Sequence, residues 1–318
     1  MFALVQAEMD QVRQVRSMLE WPGRREAPPM RTIMLATDFS ERSDRAMRRA
    51  ALLARATGAQ MHLVHVVDDD RPRGIVEHET GDARRLLHDF GHSLRNHDGI
   101  RCSTSIVLAD PFAGIVRAAT EVAVDLLVIG PHRRHLLRDA FAGTTAERVI
   151  RTAACPVLMA NGPPVGPWRH LLLTTDLSDA SRGALRRFAE LKIGEGSART
   201  ILHVFDAPAL HLGMAATLSD DARGAYLHDQ HAEARERLKG FLASVRSPAA
   251  EPIVRHNTST LAHEILHTAE EVGADLVVAS SVGKGMMARA ILGSVAAQVL
   301  ASASVDVLVV PPPDPQKP

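Results

Sequence analysis

The chain has 318 residues, 46% of them hydrophobic, with 37 Lys and Arg against 37 Asp and Glu and only 3% aromatic side chains. At about 100–200 residues per domain, this length favours two domains. The balanced charge argues against a nucleic-acid binder that works by neutralising phosphates, and the scarcity of aromatic rings argues against stacking single-stranded bases. Two cysteines, Cys102 and Cys155, make no disulfide framework and point to a reducing compartment. The charge-free run 291–305 is broken by Ser294, Gln298, Ser302 and Ser304, short of the roughly 18 apolar residues of a membrane span. Glu8 and Asp10 interrupt the N-terminus where a signal peptide needs an apolar stretch. These features lead to the expectation of a soluble cytoplasmic protein without nucleic-acid or membrane partners.

In chain order, residues 1–29 read as a short amphipathic helix before Pro22, or as an extension ahead of a native start at Met30. Residues 32–37 are a short apolar run, consistent with a buried strand. Ser40 offers an N-cap with Glu41 and Asp44 in the first turn, Ala46, Ala50, Leu53 and Ala54 keep helical spacing, and Gly58 is a stop. Then follow a strand over 61–67, a helix over 82–96, a strand over 103–108, a helix over 112–122, a strand over 125–130, a helix over 144–152 and a strand over 157–160. The stretch 161–167, rich in Gly and Pro, is a linker. Beyond it the strands are expected at 171–175, 201–205, 253–256, 275–279 and 307–310, and Pro311-Pro312-Pro313 closes the last run.

This order is one pattern written twice. At an offset of 138, Thr37-Asp38 falls on Thr175-Asp176, Ser40 on Ser178, Arg48-Arg49 on Arg186-Arg187 and His65-Val66 on His203-Val204. At an offset of 150, Asp125-Leu126 falls on Asp275-Leu276, Gly143 on Gly293, Ala146 on Ala296 and Val157-Leu158 on Val307-Leu308. The second copy thus holds twelve extra residues between Asp206 and Asp275. Strands alternating with helices imply an α/β fold: two tandem, doubly wound, Rossmann-like domains, each with a parallel sheet covered on both faces. The expected division is an extension at 1–29, domains at 30–161 and 169–312, a linker at 162–168 and a tail at 313–318.

Ligands of such sheets sit beyond the carboxyl ends of the strands at the topological switch point. That directs attention to Asp38 and Asp176, to Val66 and Val204, and to the loops after Gly130 and Ser280. The first loop starts Gly130-Pro131-His132-Arg133 and ends Gly143-Thr144; the second starts Ser280-Ser281-Val282-Gly283 and ends Gly293-Ser294. Glycine lets backbone approach a phosphate, and a helix N-terminus supplies N–H groups and partial positive charge. The same spacing also suits a plain tight turn with an N-cap.

In order, in both copies, these segments resemble the universal stress protein family in its tandem two-domain form. Ala36-Thr37-Asp38-Phe39-Ser40 and Thr174-Thr175-Asp176-Leu177-Ser178 match its first strand, and His65-Val66-Val67 and His203-Val204-Phe205 match its second. The loops match its G-x2-G-x9-G-[S/T] pattern, and Cys155-Pro156-Val157-Leu158 its fifth strand. The resemblance covers nearly everything from Met30 to Pro312. It implies sheets of five parallel strands paired through their last strands within one chain, with a homodimer as a further option. It implies an adenine nucleotide such as ATP, with or without Mg2+, bound in the second domain by Thr175, Asp176, Val204, Ser280, Gly283, Gly293, Ser294 and Val295. The corresponding first-domain set is Thr37, Asp38, Val66, Gly130, Arg133, Gly143, Thr144 and Thr145. Asp38 and Asp176 would lie by adenine and ribose, or serve only as helix-entry turns; Val66 and Val204 would meet adenine through their backbone.

Both loops depart from the pattern: Arg133 stands where the first copy needs its second glycine, and Ser280 where the second copy needs its first. The second copy is therefore the better nucleotide site. No catalytic constellation, Walker A motif or G-x-S-x-G elbow is legible, so the expected role is a stress-response protein acting by ligand-dependent conformation or interaction, with at most slow ATP hydrolysis. A scaffold with degenerate sites is the first alternative. The second is zinc at His263-Glu264-Ile265-Leu266-His267, which spells H-E-x-x-H. It aligns with an ordinary helix of the first copy, so a solvated face with Ile265 and Leu266 packed inward is the blander expectation. His65 and His203 read as packing and hydrogen-bonding residues, and Cys155 as a small buried one.

Overall fold

A computed structural model describes residues 30–131, 143–211, 219–245, 250–283 and 292–313; the 1–29 extension, Arg133 and residues 314–318 lie outside them. The first half runs β1 (Thr32–Ala36), α1 (Glu41–Thr57), β2 (Gln60–Val67), α2 (Arg73–Asn96), β3 (Cys102–Leu108), α3 (Pro111–Glu121), β4 (Leu126–Ile129), α4 (Thr145–Thr152) and β5 (Val157–Met159). The second half runs β6 (His170–Thr174), α5 (Asp179–Glu190), β7 (Ala198–Phe205), α6 (Pro208–His211), α7 (Asp220–Val245), β8 (Glu251–His256), α8 (Leu261–Glu271), β9 (Leu276–Ser280), α9 (Ser294–Ser302) and β10 (Asp306–Val310). The added residues of the second copy include α6, between β7 and α7. No helix among the described residues is long and apolar enough to cross a membrane.

The ten strands among the described residues form one sheet, in the order β3-β2-β1-β4-β5-β10-β9-β6-β7-β8. Pairing is parallel within each half and antiparallel only where β5 meets β10, with Leu158 opposite Leu308. Both leucines are fully buried. Joining the two short apolar strands removes an edge that would otherwise expose unpaired backbone groups.

Strand alternation divides the core into two layers. Ile33 and Leu35 pack under α1 and α2, while Met34 faces α3 and α4. Leu308 and Val310 join the first layer, with Ala184 and Phe188 of α5; Val307 and Val309 join the second, with Val299 of α9. Each layer runs through both halves without a break.

Two local expectations are corrected. The helix expected from residue 82 begins at Arg73. Gly74 and Gly81 look like breakers in the sequence, yet the Arg73–Glu77 pair at 2.8 Å and the Arg71–Glu79 pair support the added turns on their exposed face. Ser40 stands at the N-cap of α1 but makes no cap hydrogen bond; its hydroxyl turns back to Asp38 instead. Gly58 does end α1, at φ 72°, and donates to the Ala54 carbonyl.

Candidate functional site

Each half switches crossover direction between β1 and β4, or between β6 and β9, and a cleft opens at the carboxyl ends of those strands. The first cleft measures about 410 Å³ and the second about 340 Å³. The second is lined by all eight residues expected there, from Thr175 and Asp176 to Ser294 and Val295. Thr37, Asp38, Val66, Gly130, Thr144 and Thr145 line the first. Gly143 stands just before them, outside the lining.

The turn after the first strand is built alike in both copies. The Thr37 hydroxyl accepts from the Phe39 N–H, and the Thr175 hydroxyl from the Leu177 N–H, both at 3.0 Å. Asp38 Oδ1 accepts from the Ser40 N–H, and Asp176 Oδ1 from the Ser178 N–H, again at 3.0 Å. Phe39 and Leu177 are thereby held at φ 57° and 64°, a region costly for side-chain-bearing residues. Each Asp thus forms an Asx-turn and also faces a cleft. Burial pushes the Asp38 carboxyl up, but hydrogen bonds from Ser40 and Ser43 and the nearby Arg42 outweigh it, and its pKa lies below the ordinary value.

The second strand contributes backbone. The Thr37 N–H donates to the Val64 carbonyl, and the Thr175 N–H to that of Leu202. Pairing alternates along a strand, so the peptide edges of Val66 and Val204 face the same side beyond the last of these bonds. His65 and His203 donate Nδ1–H to the carbonyls of Thr37 and Thr175 at 2.8 and 3.0 Å; the histidines tie the two strand ends together.

The helix that closes each cleft separates the copies. In the first, the Thr144 hydroxyl accepts from the Glu147 N–H at 3.1 Å, and Glu147 Oε2 accepts from the Gly143 N–H at 2.7 Å. This is a capping box shifted by one residue. A carboxylate therefore already occupies the positive end of α4, with Arg151 at 3.3 Å from its other oxygen. In the second copy Gly293 is the N-cap of α9, there is no side-chain cap, and the first turn holds no acid. The Gly293 N–H instead donates to the Ser281 carbonyl, closing the base of the loop. Among the described residues, no acceptor meets the N–H groups of Ser294, Val295 or Ala296. Glu147 was missed in the sequence, although Thr144-x-x-Glu147 is a readable capping signal.

A glycine early in each loop lies against the turn that follows the first strand of its half. A Cβ on Gly130 would come within 3.0 Å of the Arg42 backbone, and one on Gly283 within 3.2 Å of Asp176 Oδ2. Gly143 sits at φ 80°, which favours glycine.

The H-E-x-x-H helix keeps the solvated face expected of it, with Ile265 buried and Leu266 packed against the same core layer. Its Leu261 and Ile265 form part of the second cleft's wall, because α8 starts at the carboxyl edge directly after β8. A helix expected to be an ordinary one thus reaches the ligand edge of the sheet. His263 and His267 lie on the exposed opposite face with ring centroids 5.9 Å apart. Glu264 is buried and accepts from the Thr258 hydroxyl at 2.7 Å and the Thr258 N–H at 3.2 Å. It fastens the β8–α8 loop rather than joining the histidines. Among the described residues, no group of three or more His, Cys, Asp or Glu could hold a metal ion.

The sequence profile of the universal stress protein family matches residues 29–161 and again 167–311. The chain belongs to the universal stress protein family. A universal stress protein of Methanocaldococcus jannaschii is 28% identical over 139 residues, covering 41% of this chain and 82% of that protein. One from Mycolicibacterium smegmatis is 25% identical over 299 residues, covering 88% of this chain and 97% of that protein. The solved structure of a universal stress protein from Archaeoglobus fulgidus shares the fold, with a TM-score of 0.66 at 20% identity over 89% of this chain and 97% of that one. This universal stress protein thus carries the family domain twice, with one closing helix capped by its own carboxylate and the other open.

Proposed function

We propose that the chain binds an adenine nucleotide in the second-half cleft, within domain 169–312, and acts by ligand-dependent conformation or interaction rather than catalysis. The observation that carries this reading is the N-terminus of α9, which has no side-chain cap and no acid in its first turn. Successive N–H groups and the positive end of the helix dipole suit phosphate oxygens. The peptide edge of Val204 suits the hydrogen-bonding edge of adenine, and the Asp176 carboxylate in the cleft wall is suited to accept from a ribose hydroxyl. The cleft volume, about 340 Å³, falls within the range of small-molecule sites.

For the first half, domain 30–161, the favoured reading is a scaffold. Glu147 accepts from the Gly143 N–H at the N-terminus of α4, and its charge opposes phosphate. At a separation of about 5 Å and an effective dielectric of about 20, an unpaired acid there costs ~3 kcal/mol, or roughly a hundredfold in affinity; Arg151 offsets part of this in the first half.

Exchanging this feature between the halves tests both readings. Ala297 is the counterpart of Glu147. Titration calorimetry with ATP should find one site per chain in the parent protein. Ala297→Glu should weaken it by about a hundredfold while leaving α9 intact, since an acid near a helix N-terminus is itself favourable. Glu147→Ala should add a second, weaker site. An unchanged ATP affinity in Ala297→Glu would remove α9 from the site, and no ATP binding by the parent would refute the nucleotide reading.

A further inference from the structure

The two halves also differ at their shared interface. Arg49 of α1 and Arg187 of α5 are equivalent in the repeat, and each half-site would hold its arginine against the other half. Around Arg49 the site is filled. Asp306 lies 2.8 Å from its Nε, the Trp168 ring lies under its guanidinium at 4.7 Å, and the Gly166 carbonyl accepts from Nη1 at 2.6 Å. Around Arg187 the counterparts of Trp168 and Asp306 are Met30 and Pro156. A smaller side chain and a missing carboxylate leave a cavity of about 400 Å³, lined by Met30, Asp125, Cys155, Arg187 and Glu190 among others. It shares no lining residue with either cleft.

Two polar groups in this cavity have unused bonding capacity. Arg187 has no carboxylate within 4 Å among the described residues, and its one hydrogen bond there is a long one, 3.4 Å to the Pro311 carbonyl. Asp125 receives the Arg31 and Thr32 N–H groups, at 2.7 and 2.9 Å, both on Oδ2. Its Oδ1 has no partner among the described residues. The equivalent Asp275 uses both oxygens, on the N–H groups of Arg169 and His170, and also faces the Arg169 guanidinium. Glu190 adds a second acid at the exposed rim. Cys155 is a neutral wall, since burial pushes its thiol up to about 11. A simple anion can engage only the guanidinium and a simple cation only the carboxylates, so either one leaves a charge of the cavity without a partner, whereas a zwitterion engages both kinds.

We propose that this cavity binds an amino-acid-sized zwitterion, its carboxylate on Arg187 in the way Asp306 sits on Arg49, and its ammonium on Asp125 Oδ1 and Glu190. The small apolar wall of Ala119, Ala153 and Val124 leaves room for a short side chain. The site is independent of the nucleotide reading.

The test uses the full-length chain. Thermal shift with each of the twenty proteinogenic amino acids at about 10 mM should find at least one that raises the unfolding temperature. Calorimetry with that amino acid should show about one site per chain. Arg187→Met should weaken binding at least tenfold while far-UV circular dichroism stays unchanged, and Arg187→Lys should retain part of it. Acetate, phosphate and methylamine serve as single-charge probes and should bind at least tenfold more weakly. The proposal is overturned if no amino acid binds, if Arg187→Met binds as the parent does, or if a single-charge probe matches the zwitterion.

Discussion

Replacing Asp306 by alanine should loosen the join between the halves more than any other single polar change. The Asp306 carboxylate is fully buried and the Arg49 side chain is 5% exposed. Oδ2 accepts from the Trp168 indole N–H and Oδ1 from the Gly162 N–H, each at 2.8 Å. The Nε of Arg49 is close but its N–H is not aligned on the carboxylate, so the contact is an ion pair rather than a directed hydrogen bond. Asp306→Ala strands a buried guanidinium, which costs about 3–5 kcal/mol, and leaves two donors unpaired, which places the result at the upper end of that range. Asp306→Asn keeps an acceptor for those donors and should cost less. The double change Arg49→Met with Asp306→Leu removes both charges and should recover all but the ~2 kcal/mol of the orphaned indole and amide. Urea unfolding followed by circular dichroism measures all of these, and the double-mutant cycle isolates the pair. A loss below about 1 kcal/mol in Asp306→Ala, or a double variant no more stable than the single one, would refute this account of the interface.

Leu308→Asp places a charge opposite Leu158 in the β5–β10 pair; the halves should separate, read as an increased radius of gyration in small-angle scattering together with faster proteolysis of the linker. An unchanged radius and unchanged proteolysis would deny that this pairing holds the halves together. Glu264 supplies a pH signature. Burial pushes its carboxyl up, but the Thr258 hydrogen bonds outweigh this and its folded pKa lies below the ordinary value. Its contribution to stability is therefore complete above the ordinary carboxylate range and is lost as pH falls through the folded value. Glu264→Gln should reduce the parent's loss of stability between about pH 5 and pH 3; an unaltered slope would show that the Thr258 contacts do not form in solution.

Much of this protein was readable one segment at a time. Hydrophobic runs and turn residues located the ten strands to within a few residues, because strand and helix periodicity and the Thr-Asp-x-Ser turn are local properties. The repeat located Thr37 with Thr175 and Gly143 with Gly293, and the parallel-sheet rule placed them at the strand ends that line the clefts. Glu147 was also within reach, since a capping box spans four residues. The rest required the fold. Arg49, the linker residues Gly162 and Trp168, and Asp306 come from three distant parts of the chain and no short pattern joins them; β5 and β10 bring them together only when the two sheets become one. The same holds for the cavity at Arg187, which depends on two first-half residues, Met30 in place of Trp168 and Pro156 in place of Asp306, where that half meets α5 of the other. Sequence by itself determined the elements and their order, because those follow from short-range sterics and periodicity. Only the tertiary structure decided which charges are matched and which remain open, because burial and pairing are set by residues distant in the chain.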